Sequence, residues 1–125
     1  MIKRKKLVER RKHTRFHAKD GALALLTSGS AKLGQIIDIS VGGLAFCYIA
    51  DEERSNGSFE LGLFFSDNGF YLDGVRFEII SDFEIGDEVP LNSITMRRCG
   101  VQFAKLTHNQ ISQLEYFIQN YTLHH

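Results

Sequence analysis

The stretch Gly34-Gln35-Ile36-Ile37-Asp38-Ile39-Ser40-Val41-Gly42-Gly43-Leu44-Ala45-Phe46-Cys47-Tyr48 decides the fold. Residues 34–40 read as a strand, with Ile37 and Ile39 on one face and Asp38 and Ser40 on the other, because side chains two apart point the same way. Gly42-Gly43 punctuates the chain, and Leu44, Phe46 and Tyr48 then alternate along the next strand. Upstream, residues 22–27 form a continuous apolar run that ends at Ser28-Gly29-Ser30. Downstream, polar residues 51–57 read as a loop, and Phe59, Leu61, Leu63 and Phe65 alternate up to Asp67-Asn68-Gly69, a hairpin signal. Phe70 and Leu72 open a return strand that continues through Val75, Phe77 and Ile79. Residues 82–92, with the single proline Pro90, read as a longer connection before a last strand over 94–104, Val101 and Phe103 facing inward.

The pattern then changes period. Thr107-His108-Asn109-Gln110 is a capping box, flanked by Leu106 and Ile111 at the two positions of a hydrophobic staple. Ile111, Leu114, Ile118 and Tyr121 follow as one apolar stripe at helical spacing. Five or six short strands with turn signals between them, and one amphipathic helix, predict an all-β class. The expected architecture is a small antiparallel barrel closed at one end by the helix. The domain organisation is a basic arm over residues 1–19, a barrel over 20–106 and a helix of the same domain over 107–121.

The chain has 125 residues, enough for one domain with a core of its own. Its formal net charge of zero conceals a division. Residues 1–19 hold nine Lys or Arg and one acid, Glu9, whereas the remaining residues hold six bases and fourteen acids. A cationic arm therefore precedes an acidic body, able to rest on it or to bind an external polyanion. Too polar to build a core, the arm is expected to be largely disordered when free. No apolar run approaches the roughly 18 residues that span a bilayer, and no apolar stretch follows the charged start as in a secretory signal. Membrane insertion is not expected. Cys47 and Cys99 lie in apolar strand-like segments, as reduced thiols of a cytoplasmic protein do.

Two clusters carry chemistry. Asp38 and Ser40 share a strand face; an ionised carboxylate only accepts hydrogen bonds, matching the adjacent N1 and N2 donors of a guanine edge. Gly42 and Gly43 let a ligand approach the backbone. The alternative is that Asp38 and Ser40 form an Asx or Ser turn at a strand end. Arg11 and Arg15 are the second cluster: each guanidinium offers a planar fork to two phosphate oxygens or to the O6/N7 edge of guanine. Each such contact contributes about 1.5–3 kcal/mol, against roughly 1–2 kcal/mol for ordering each arm residue. The alternative is a solvated basic tail. His13 and His17 stand four apart with no third ligand nearby, so no metal site is expected. Arg97 and Arg98 either line a ligand groove or, as expected, sit on a solvated strand face. His124-His125 carries no functional weight. No nucleophile–base pair, metal cluster or Gly-rich phosphate loop is present in the pattern, so the chain is not expected to be an enzyme and needs no cofactor.

Taken together, Arg11-Lys12-His13-Thr14-Arg15 and Asp38-Ile39-Ser40-Val41-Gly42-Gly43 resemble the two defining motifs of the PilZ domain family, bacterial receptors for cyclic di-GMP. Arg98-Cys99-Gly100-Val101-Gln102-Phe103 resembles that family's last-strand signature, and the likeness runs over roughly residues 9–121. The resemblance implies a six-stranded antiparallel, Greek-key-like barrel with cyclic di-GMP on its outer surface. It assigns Arg11 and Arg15 to phosphate and guanine, and Asp38, Ser40 and Gly43, with Gly42 beside them, to the second face of the ligand. Arg10, just before the motif, would favour a stacked pair of nucleotides over one; the alternative is that it belongs to the general charge of the arm. It further implies a cytoplasmic signal-transduction receptor, monomeric or dimerised through ligand. Its arm would close over the nucleotide and signal to an unidentified downstream protein. Two other readings stay open: a module of the same fold that does not use the nucleotide, and a polybasic-arm nucleic-acid binder.

Overall fold

The hairpin of strands β3 (Ser30–Ser40) and β4 (Gly43–Ala50) is the centre of the sheet. A computed structural model describes residues 13–28, 30–50, 60–85 and 95–123; Arg10, Arg11 and His124-His125 lie outside them, as do the whole loop over 51–57 and the connection around Pro90. The other elements are β1 (Phe16–His17), β2 (Ala22–Ser28), β5 (Glu60–Phe65), β6 (Phe70–Val75), β7 (Phe77–Glu84), β8 (Thr95–Phe103) and one helix, α1 (His108–Tyr121). Every pairing is antiparallel, and the strands run β6-β5-β2-β3-β4-β8-β7 across the sheet, with β1 added to β3.

This corrects the six-stranded closed barrel in two respects. First, the sheet has eight strands. The return strand expected over residues 70–79 breaks at Arg76, just after a register shift against β5 where Gly74 takes a positive φ of 69°. The residues just before β2 supply the eighth strand: Phe16 pairs opposite Ile39, and Phe16 and Ala18 pack on the core, so this end of the arm contributes to the fold after all. Second, the sheet does not close. Edge strands β6 and β7 are separated by the single residue Arg76, so the sheet must curl until its edges meet at that corner, yet no ladder joins them among the described residues.

The phase of β3 also differs from the simple alternation. Ile36 stands opposite Phe46 and Asp38 opposite Ala45, so Ile37 is an extra residue, a β-bulge. The bulge lets both Ile36 and Ile39 enter the core while Asp38 stays on the opposite face. Without it, Ile36 and Asp38 would share a face. The expected Ile37/Ile39 pair is therefore an Ile36/Ile39 pair, with Ile37 half-buried.

The core joins Ile36, Ile39, Leu44, Phe46, Leu61, Leu63, Val75 and Val101 from the sheet to Leu114, Phe117, Ile118 and Tyr121 from α1. The helix starts at the expected capping box: Thr107 Oγ1 accepts from the Gln110 amide at 3.0 Å, and Gln110 Oε1 accepts from the Thr107 amide at 3.0 Å. Its buried stripe is rotated slightly from the expected one, gaining Phe117 and leaving Ile111 38% exposed. Tyr121 stacks on Phe65 with ring centroids 4.1 Å apart and meets Phe117 edge-on at 5.1 Å. The β5–β6 turn fastens to the same ring, since Asn68 Nδ2 donates to Tyr121 Oη at 2.8 Å. Gly69 there adopts φ of 75°, as the hairpin signal requires.

Candidate functional site

The two clusters meet because β1 occupies a vacancy beside β3. The β2–β3 ladder ends at Leu23 opposite Gln35, which leaves the far end of β3 without a neighbour on that side. Phe16 and His17 take it, pairing with Ile39 and Asp38. The segment is held at both flanks. Ala18 N donates to the Ile37 carbonyl at 3.0 Å, and Gln35 Nε2 donates to the Lys19 carbonyl at 3.1 Å. On the other side, Lys19 N donates to the Tyr121 carbonyl at 2.9 Å and Leu123 N to the His17 carbonyl at 2.8 Å.

Arg15, one residue before β1, is thereby delivered to Asp38. Its Nη1 donates to Asp38 Oδ1 at 2.7 Å, while Arg98 Nη2 lies 3.8 Å from Oδ2. Each carboxylate oxygen thus faces one guanidinium. The Arg15 and Asp38 side chains are only 19% and 16% exposed, so this pair is less screened than an ordinary surface ion pair. A charge-assisted hydrogen bond of this kind contributes about 1.5–3 kcal/mol.

Ser40 was expected on a solvent face beside Asp38 but is buried. Its hydroxyl is used in the β3–β4 turn, accepting from Gly42 N at 3.0 Å and donating to the Gly43 carbonyl at 3.4 Å. The Ser-turn alternative therefore describes Ser40, whereas Asp38 is engaged by arginines. Gly42 and Gly43 differ as well. A Cβ on Gly42 would lie 2.5 Å from His13 Cδ2, so this glycine seats the ring of His13. A Cβ on Gly43 would run into the Val101 carbonyl oxygen of β8, so that glycine allows the close approach of β4 to β8.

A groove of about 620 Å³ opens beside this cluster. His13, Arg15 and Ser40 form its polar side, and Ile80, Phe103, Leu106 and Ile111 its apolar side. Across the same face, Asp38, Ala45, Gly100 and Ser81 stand in register on β3, β4, β8 and β7. The two small residues in the middle make a low floor between Asp38 and Ser81. Cationic forks, an acceptor-only carboxylate, a flat floor and an apolar wall can together hold a flat heterocycle and an attached phosphate.

Of the site residues read from the sequence, Arg15, Asp38, Ser40, Gly42 and Gly43 come together. Arg10 and Arg11 fall outside the described residues. Sequence reasoning missed the approach of Arg98 to Asp38 and the groove contacts of His13 and Ile80. Arg97, the neighbour of Arg98, goes elsewhere: its Nε donates to Asp82 Oδ1 at 2.9 Å, and Tyr48 Oη donates to the same carboxylate at 3.0 Å. Burial, reinforced by Asp82, pushes the Tyr48 hydroxyl up to about 12. Burial first and Asp82 second push the nearby Cys99 thiol up to about 11. Among the described residues no group of three His, Cys, Asp or Glu is placed to hold a metal ion. No described helix is long and apolar enough to cross a membrane.

Comparison with known proteins agrees with this fold. The sequence model of the PilZ domain matches residues 9–120. No curated protein matches the chain. Among solved structures, the fold is similar to the PilZ domain with c-di-GMP of YcgR from Escherichia coli, with a TM-score of 0.66 and 20% identity, covering 90% of this chain and 92% of that one. It is also similar to YcgR in complex with c-di-GMP from Escherichia coli (TM-score 0.61, 18% identity, 88% of this chain and 45% of that one). MrkH, a c-di-GMP-dependent transcription regulatory factor, gives a TM-score of 0.60 at 17% identity, over 90% of this chain and 51% of that one. The chain thus spans about half the length of the latter two.

Proposed function

The chain belongs to the PilZ domain family, and we propose that it is a receptor for cyclic di-GMP. The observation that carries this reading is the 2.7 Å contact between Arg15 and Asp38, which joins the family's two motifs across 23 residues of sequence. Arg11 and Arg15 take phosphate and the O6/N7 edge of guanine. Asp38 accepts from the N1 and N2 donors of a guanine, and the Gly42-Gly43 turn lets the ring approach the backbone. Ser40 acts through that turn, holding Gly42 in place rather than reaching out from a solvent face. Arg10 belongs to the same arm and contributes to a second, stacked nucleotide.

Binding exchanges partners. The Arg15–Asp38 bond opens, Arg15 turns to phosphate, and Asp38 takes guanine donors in its place. Both charged groups thus keep a hydrogen-bonded partner throughout, which keeps the cost of opening low. Ordering of the arm over the nucleotide then presents a new surface to a downstream protein, in a receptor that works in the cytoplasm and transduces a signal without catalysis.

Isothermal titration of the full chain with cyclic di-GMP tests this directly. Wild-type protein should bind saturably with a stoichiometry of one or two nucleotides, and Arg15→Ala and Asp38→Ala should each abolish the heat. Absence of binding by wild type at about 100 μM nucleotide, an affinity weaker than about −5.5 kcal/mol, overturns the reading.

A further inference from the structure

The two edges of the sheet are treated differently. Edge strand β6 is covered by α1: Gln110 Nε2 donates to the backbone carbonyls of Gly74 at 3.1 Å and Asp73 at 3.4 Å. Edge strand β7 pairs only with β8 among the described residues. It also exposes three large apolar side chains, Ile79, Ile80 and Phe83, at 47%, 56% and 50%. An uncovered edge with apolar side chains is a template for another strand. Natural edges are blunted by bulges, and β7 has one at Ile80, where its register with β8 shifts. The bulge leaves the run from Ser81 to Glu84 regular.

The charge on β7 selects the occupant. The strand carries Glu78, Asp82 and Glu84 and no base. Asp82 is taken up by Tyr48 and Arg97, whereas Glu78 and Glu84 are exposed. A second copy of this chain, pairing antiparallel through β7, would bring carboxylates opposite carboxylates, which destabilises a strand pair. A segment with Lys or Arg alternating with apolar residues meets both features at once.

We propose that the free edge of β7 is a docking site for an extended basic–apolar segment of a partner protein, added to the sheet as a further strand. Its backbone pairs along residues 81–84, its apolar side chains cover Ile80 and Phe83 on one face, and its cations lie on the other face toward Glu84. Ile80 also lines the groove beside Arg15, so the added strand ends against the candidate ligand site. The docking itself does not depend on what that groove binds.

The probe is a fluorescein-labelled hexapeptide of alternating lysine and valine, titrated into the full chain and followed by anisotropy. The same peptide N-methylated at alternate residues keeps its side chains but cannot form the ladder. Saturable binding is expected, weakened roughly tenfold or more by N-methylation and by the variant Glu84→Lys. Amide exchange should slow at residues 79–84. Equal binding of the N-methylated peptide overturns the proposal, as does slowed exchange on β6 instead of β7. So does a β7-mediated dimer in sedimentation equilibrium, or no saturation by about 1 mM peptide.

Discussion

Replacing each glycine of the β3–β4 turn with alanine separates a residue that builds the fold from one that shapes the groove. Neither Gly42 nor Gly43 has a positive φ, so alanine introduces no backbone strain at either position. The added methyl group alone decides the outcome. At Gly43 it meets the Val101 carbonyl oxygen and, at 3.2 Å, the Gln102 Cα. Both are backbone atoms inside the β4–β8 ladder and cannot rotate away, so the strands must part. Overpacking that shifts backbone costs about 3 kcal/mol, and the entropy lost from the unfolded chain returns only about 0.5 kcal/mol. At Gly42 the methyl group meets only the ring of His13, an exposed residue that can swing aside. That change should stay within about 1 kcal/mol of wild type. For a chain of this size, the Gly43→Ala midpoint should fall by about 10 °C in a thermal melt followed by circular dichroism. A urea titration should show a lower midpoint at an unchanged slope. Gly42→Ala should melt near wild type while shifting the His13 ring resonances. A Gly43→Ala midpoint within about 3 °C of wild type would refute the steric reasoning and return Gly43 to the ligand.

Three further outcomes are expected. Arg15→Lys should lose most cyclic di-GMP affinity in a titration, because lysine keeps the charge without the fork; retained affinity with a steep salt dependence would point to a polybasic nucleic-acid arm. Stability should fall as pH rises from about 9 to about 12, since Cys99 and Tyr48 have folded-state values near 11 and 12, above their unfolded ones. Stability is full below the unfolded values and is lost at up to about 1.4 kcal/mol per pH unit for each titrating group; urea midpoints across that range measure it, and Tyr48→Phe should flatten the upper part. Thr107→Ala removes the cap of α1 and should cost about 1 kcal/mol by urea titration.

Features set by local chemistry could be read from the sequence. The capping box at Thr107 and Gln110 closes within one turn, and the Asp67-Asn68-Gly69 turn depends on a glycine that tolerates positive φ. Features set by long-range pairing could not. The Ile36-Ile37 doublet allows two phases, and only the opposing strand, with Phe46 and Ala45, decides which isoleucine is the extra one. Residues 70–79 look continuous by alternation, although Gly74 marks where the chain crosses from one edge of the sheet to the other. Phe16 looked like part of a charged tail because its partner, Ile39, is distant in sequence. In the site, Asp38 was legible through its motif, but Arg98 reaches it only through the pairing of β4 with both β3 and β8. Ser40 shows the limit of alternation: its strand position was clear, yet its hydroxyl turns into the hairpin.

The bulge at Ile37 gives this strand one place where its length can change without cost to its facing. Removing a residue from a regular strand turns every side chain on one side of the cut to the other face. Removing Ile37 would instead leave Ile36 opposite Phe46, Asp38 opposite Ala45 and Ile39 opposite Leu44, in plain alternation. A one-residue deletion in descendants of this sequence should therefore be accepted within the Ile36-Ile37 doublet and rejected elsewhere between Gly34 and Ser40. The doublet is a joint in the strand, adjustable in length while the carboxylate keeps its face.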